Sequence, residues 1–199
     1  MVRAWQSLSP RYEAYSLIVP GTPSFVCQAE LCSAHCCKAF SVSLGEDEVS
    51  VLAERSRLQP LHFLELEDGE PITLPLAKPY LLARRGGQCA LLGPDLRCTQ
   101  YHGRPDACRL YPHFVVGFDV ANEKPVYGDV AGMRAAIDSV AHDRPLGGLV
   151  PLLLGHVECP GFTGPPLAEA AFLALLAHTA ELQYPAGLIA LEEGTWPLP

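Results

Sequence analysis

Apolar and polar positions alternate cleanly in only a few stretches of this chain. Ala39–Leu44 (AFSVSL) alternates as a half-buried strand does, and Gly45 ends it. Glu46–Arg57 puts Val49, Leu52 and Ala53 on one face, acidic at its start and basic at its end, which predicts a helix aligned with its dipole. Phe63–Leu66 and Ile72–Leu76 read as strands around the turn Glu67-Asp68-Gly69-Glu70. Tyr80–Arg84 and Cys89–Leu92 read as a second hairpin across Arg85-Gly86-Gly87. Further extended segments are expected at Tyr15–Val19, Phe114–Val120 and Pro125–Val130, and a less regular helical pattern runs from Gly132 to His142. The most regular helix is Pro166–Gln183, where Leu167, Ala170, Ala171, Ala174, Leu175, His178 and Leu182 form a stripe.

Between these elements the chain follows neither period. Residues 1–22 read as an irregular arm around Tyr15–Val19, and Phe25–Cys37 shows no helix or strand repeat. Pro105 suits the first turn of a short helix that Pro112 would stop. Proline and glycine supply 36 of 199 residues (19 Pro, 17 Gly), which favours turns and loops over a helical bundle. The expected architecture is therefore α+β: a compact, loop-rich single domain of short strands and a few helices. Within it we expect an N-terminal arm (1–24), a cysteine-rich domain (25–161) and a C-terminal helix and tail (162–199) packed on it.

Charge narrows the function classes. The formal net charge is −8 and 18% of residues are charged, so there is no basic stripe to meet nucleic-acid phosphates. The hydrophobic fraction of 49% is too high for a solvated coil. The longest apolar runs, Leu149–Leu154 and Ala170–Ala177, fall far short of the roughly 20 residues that span a bilayer. The N-terminal residues show no apolar core of signal-peptide length, so a cytoplasmic protein with no membrane partner is expected. There thiols stay reduced, and patterned cysteines hold metal more often than they form disulfides.

The cysteines are patterned. Cys27, Cys32, Cys36 and Cys37 fall within eleven residues, Cys89, Cys98 and Cys108 follow, and Cys159 stands apart. A tetrahedral ion needs sulfurs about 2.3 Å from one centre, and short Cys-x-Cys loops bring them there at little cost in loop closure. All-sulfur ligation suits zinc and iron–sulfur centres and disfavours magnesium and calcium. Cys27-x4-Cys32-x3-Cys36 nearly follows the plant-type cluster spacing, with a second gap one residue too long, and Cys159-Pro160 is a step common beside iron–sulfur ligands. Spacing alone leaves zinc and iron–sulfur open. Burial as small hydrophobes could account for Cys89 or Cys159 singly. It accounts poorly for the adjacent pair Cys36-Cys37, which points to two sites, or to one site beside a reactive thiol.

Taken together, Phe25-x-Cys27, Cys32, Cys36-Cys37, Cys89, Cys98-x-x-Tyr101-x-x-Arg104-Pro105-x-x-Cys108-Arg109-x-Tyr111-Pro112 and Cys159-Pro160-Gly161 resemble the CxxCxxCC cysteine-cluster family. Its members are described as zinc- or iron-chelating domains, and the resemblance covers Phe25 to Gly161. It implies that Cys27, Cys32, Cys36, Cys37, Cys89, Cys98, Cys108 and Cys159 are metal ligands for zinc, an iron–sulfur cluster, or both. The sequence is also distantly similar to the flagellin lysine N-methylases. That similarity implies an alternative, an iron–sulfur-dependent protein-modifying enzyme with a protein substrate.

Other side chains fit a supporting role. Arg104 and Arg109 flank Cys108 and could offset thiolate charge, with Tyr101 and Tyr111 shielding the site. His35, His102, His113 and His156 lie near cysteines in sequence and are read as polar loop residues, and His178 as a core residue of the last helix. Glu46-Asp47-Glu48 is read as a solvated helix start. No GxGxxG after a strand, GxxxxGK[ST], HExxH or GxSxG occurs, so no nucleotide or conventional methyl-donor pocket is expected.

Overall fold

The computed structural model of the protein describes residues 1–126 and 130–183. From the N-terminus run α1 (Val2–Leu8), β1 (Tyr15–Ile18), β2 (Pro23–Phe25), α2 (Ala29–Cys32), α3 (His35–Ala39) and β3 (Ser43–Leu44). Then come α4 (Glu46–Ser56), β4 (Leu66–Glu67), β5 (Glu70–Pro71), β6 (Tyr80–Leu81), β7 (Arg84–Arg85) and β8 (Gln88–Cys89). The rest are α5 (Asp106–Leu110), β9 (His113–Asp119), β10 (Lys124–Val126), α6 (Val130–Ala141), β11 (Leu149–His156), β12 (Phe162–Pro166) and α7 (Glu169–Gln183). The α+β class read from the sequence is the class that forms. The chain makes two compact units, one from Met1–Val26 with the chain from Pro112 onward, the other from Cys27–Tyr111.

The first unit is built on an antiparallel sheet of order β1-β11-β9-β10. Its central strand β11 is the apolar run noted above, and residues 150–156 are all buried. A strand covered on both faces has no polar positions to alternate, so it reads as a continuous run. Period 2 sends Ile18, Val115 and Leu153 to one face, where Met133 and Ile137 of α6 and Phe172, Leu176 and Ala180 of α7 cover them. Val116, Phe118, Leu152 and Leu154 go to the other face, against Ala4 and Leu8 of α1. The irregularity expected over residues 1–22 gives way to regular elements around the extended piece: α1 lids one sheet face, and β1 pairs with β11 from Tyr15↔His156 to Ile18↔Leu153.

The last helix begins at Glu169, three residues after the expected start, and buries a different face. Phe172, Leu176, Thr179, Ala180 and Gln183 point inward, whereas His178, Ala170, Ala171 and Ala174 of the expected stripe are exposed. Alanine is apolar enough to join a hydrophobic pattern, yet the bulky residues decide which face docks. Gln183 is completely buried: its Oε1 accepts from the Val115 amide at 2.8 Å, and its amide donates to the Val115 carbonyl. In this way it satisfies backbone groups of β9 that a neighbouring strand would otherwise serve. The expected tail, 184–199, lies outside the described residues, as do residues 127–129 of the expected strand Pro125–Val130, of which Pro125 and Val126 belong to β10 while Val130 starts α6.

The second unit has 85 residues and no large sheet. Its ladders are two residues long: β3 with β6, β4 with β5, and β7 with β8. The expected strand Ala39–Leu44 reduces to Ser43–Leu44 because α3 runs through Ala39. The expected hairpin of Tyr80–Arg84 with Cys89–Leu92 splits: Tyr80–Leu81 pairs with Ser43–Leu44, while Arg84–Arg85 pairs with Gln88–Cys89 across Gly86 and Gly87. Both glycines have positive φ (58° and 80°), the backbone that a two-residue hairpin turn requires. The helix α4 forms as expected, with Leu52 buried and Val49 and Ala53 packed beside it. Six residues (Leu44, Leu52, Phe63, Leu64, Leu82 and Leu91) make up the buried core, with Cys89 and Cys98 at its margin. Such a core is small for a unit of this size, and units like it usually need a covalent or metal staple.

Candidate metal centre

Seven of the eight cysteines belong to the second unit, each carried on a short element or a turn. Cys27 precedes α2, Cys32 ends it, and Cys36 and Cys37 lie in the first turn of α3. Between the two helices, Ser33 and Ala34 are both left-handed (φ 50° and 58°), which turns the chain sharply enough to return Cys36 and Cys37 toward Cys27 and Cys32. Cys89 ends the Gly86-Gly87 hairpin, Cys98 is bridged to Leu92 after the tight turn 93–97, and Cys108 lies in α5. Proline works as expected here: Pro105 caps α5, and its carbonyl accepts from the Cys108 and Arg109 amides at 2.9 Å.

The thiols act on one another. The Sγ atoms of Cys36 and Cys37 are 4.0 Å apart, and Cys37 also interacts electrostatically with Cys89. Shared hydrogen bonding with Cys37 draws both Cys36 and Cys89 down to about 7, and Cys37, as the shared donor, is pushed up strongly. Burial pushes Cys108 up to about 12, with the charges of Cys89, Cys98 and Cys36 adding to it. Burial likewise raises Cys98 and Cys27. Mutual electrostatic influence on this scale means that six thiols (Cys27, Cys36, Cys37, Cys89, Cys98 and Cys108) share one region, and Cys32 acts on Cys27 there.

Positive charge and N–H groups face these sulfurs. The Arg104 guanidinium lowers Cys27, Cys36, Cys98 and Cys108 together. It is held over the Tyr101 ring, 4.0 Å from the centroid, and its Nε donates to the Tyr101 carbonyl at 3.2 Å. Arg109 turns instead to Asp106 Oδ1 at 3.2 Å. The Tyr111 ring packs on Phe40 at 5.4 Å. The Leu91 amide donates to Cys89 Sγ at 3.4 Å, and the Gln100 amide to Cys98. Such donors spread thiolate charge.

Two supports of the site escaped the sequence reading. Arg84 donates to the carbonyls of Lys38, Phe40 (2.7 Å) and Gly87, tying the end of α3 to the β7–β8 hairpin, and its charge lowers Cys89. Glu48 is not a solvated helix-start residue. Its Oε2 accepts from the Gly45 amide (2.9 Å) and pairs with Lys78 Nζ (2.7 Å), while its Oε1 accepts from the Asp106 amide at the start of α5 (2.8 Å). Lys78 is 8% exposed and reaches Asp106 Oδ2 at 3.6 Å. In sequence these are one arginine of an adjacent pair and one acid of three, and the partners that make them supports (Lys38, Phe40, Lys78 and Asp106) lie 30 to 58 residues away, so no local spacing signals them.

The remaining candidates lie elsewhere. Cys159 belongs to the first unit, between β11 and β12, where its amide donates to the His156 carbonyl at 3.1 Å. His113 and His156 are strand residues of that unit rather than loop residues. The His113 ring meets those of Phe25 (5.9 Å) and Phe162 (5.8 Å), and burial pushes it down to about 4, leaving it neutral. His156 packs edge-on to Tyr15. His35 packs against Phe40, and His102 is exposed beside Tyr101.

The donor set fits zinc or iron: soft sulfur, gathered, reduced and faced by cationic and amide groups. Among the described residues, no three cysteine, histidine or carboxylate groups already stand as a finished ion site, so the thiols are gathered without being closed. Closure is what the ion itself would supply, because bare thiolates at this spacing repel one another. No helix among the described residues is long and apolar enough to cross a membrane. Neither a curated protein nor a solved structure matches the chain. The CxxCxxCC family, described as "Putative zinc- or iron-chelating domain", matches residues 26–129, just over half of the chain and the whole cysteine unit, and the chain belongs to that family.

Proposed function

We propose that the protein binds zinc or iron through the cysteines of its 27–111 unit and that the bound metal completes the folding of that unit. The observation that carries this reading is the convergence of thiols from four separate segments on one region faced by Arg104. Cys27, Cys32, Cys36, Cys37, Cys89, Cys98 and Cys108 are the ligand pool, and Cys159 is a further candidate from the other unit. The ion would supply what the six-residue core does not: apparent binding energies for structural zinc are of order 10–16 kcal/mol at neutral pH. A reducing, cytoplasmic setting fits this role, because an oxidised pool could not ligate.

The test is metal and acid-labile sulfide analysis of protein purified anaerobically, with circular dichroism before and after chelation. Zinc without sulfide, or iron with or without sulfide, supports the reading if chelation also melts the unit. Protein that carries neither metal and keeps its ellipticity in chelator overturns it. The protein-modifying alternative adds the demand that the metal-loaded protein bind a methyl donor. The cavity of about 300 Å³ between α6 and α7, lined by Met133, Ile137, Ala177 and Ala180, contains no cysteine and gives that alternative no support.

A further inference from the structure

The adjacent cysteines carry information about how many metal atoms they share. We propose that Cys36 and Cys37 bind one and the same ion as a two-sulfur bite, so that they do not cap separate irons of a four-iron cubane; this rests on the metal-binding reading above. Two thiolates on one tetrahedral ion, with bonds of about 2.3 Å, stand about 3.8 Å apart. The Cys36 and Cys37 Sγ atoms stand 4.0 Å apart. In a four-iron cluster held by four cysteines each thiolate takes its own iron, and the sulfides between the irons push the thiolates well beyond that distance.

The backbone holds the bite from both ends. On a helix consecutive side chains diverge by about 100°, which leaves neighbouring sulfurs able to meet over one point, whereas a strand would send them to opposite faces. Ahead of α3, the left-handed pair Ser33-Ala34 fixes the direction in which the helix starts, and Ala34 is buried. Behind it, Arg84 holds the Lys38 and Phe40 carbonyls. Spreading the two sulfurs onto separate irons would require at least one of the two side chains to rotate about its Cα–Cβ bond, out of the arrangement that brings them together here.

Charge is consistent with a shared ion. Two thiolates this close repel unless a cation lies between them. The Arg84 guanidinium, held on the Lys38, Phe40 and Gly87 carbonyls, adds positive charge at the end of α3.

Zinc-limited alkylation of the wild-type protein tests the bite without any variant. Reduced, metal-free protein receives half an equivalent of zinc, is alkylated with iodoacetamide, and the peptide holding both cysteines is weighed by mass spectrometry. A shared ion protects both thiols or neither, so the expected spectrum shows unmodified and doubly alkylated peptide and almost no singly alkylated peptide. A dominant singly alkylated peptide, with other cysteines protected, overturns the bite and leaves metal binding standing. Absence of protection at every cysteine, with zinc and again with ferrous iron, overturns the bite together with the parent reading.

Discussion

Replacing Glu48 by Gln removes one negative charge from the interior of the cysteine unit and leaves the side-chain size almost unchanged. The native carboxylate accepts from two amides, Gly45 and Asp106, and pairs with Lys78 at 2.7 Å, with both charged side chains at or below 15% exposure. A glutamine keeps one acceptor oxygen and turns an NH₂ group toward either an amide donor or the ammonium. Removing one partner of a buried pair costs about 3–5 kcal/mol, because the other charge is left uncompensated. Here Asp106 remains 3.6 Å from Lys78 and offsets part of the loss, so about 2–3 kcal/mol is expected. Urea unfolding of the metal-loaded protein would show it as a lower midpoint at unchanged slope. A loss below about 0.5 kcal/mol, the range of surface pairs, would refute the structural role given to this knot. The acid limb gives a second reading. Burial raises the Glu48 carboxyl, but the Gly45 amide, Lys78 and the Asp106 amide outweigh it and hold the group below its ordinary value. Its contribution is therefore complete above the unfolded value of about 4.3 and fades as pH falls through the lower folded value, a segment of pH dependence that Glu48→Gln should lack.

Arg104→Met should weaken zinc binding about tenfold in a chelator competition, as is common when a group beside the ligands is lost. Arg109→Met, whose exposed pair with Asp106 is worth little, should change it less than twofold; equal losses would contradict the assignment of Arg104 as the guanidinium facing the thiols. Ser33→Gly should stabilise the unit by about 0.5–1 kcal/mol, because glycine relieves the positive φ at an exposed position with no packing to lose. A destabilised Ser33→Gly protein would mean that the left-handed corner is not as described. Gly161→Ala places a methyl 2.6 Å from the Phe25 ring and 2.7 Å from the Val26 carbonyl oxygen, so backbone must move and about 1–3 kcal/mol should be lost in thermal unfolding. Wild-type stability of that variant would count against the close packing of β2 and β12.

What is local in this protein could be read from its order of residues. The four clustered cysteines, the Gly86-Gly87 turn, Pro105 at the start of α5 and the α4 face of Val49, Leu52 and Ala53 all depend on neighbours within a few positions. Family resemblance added which cysteines belong together. Other features depend on partners far along the chain, and the tertiary structure alone decided them. The run Leu149–Leu154 became a central strand because helices cover both its faces, and α7 docked through Phe172 and Leu176 because bulk outweighs the count of alanines. Glu48 looked like one of three solvated acids until Lys78 and the start of α5 met it, and Arg84 looked like a hairpin residue until it held α3. The same holds for Cys36 and Cys37. Adjacency is a fact of sequence, but whether two neighbouring sulfurs converge or diverge depends on backbone conformation, and here a short helix held at both ends brings them to 4.0 Å.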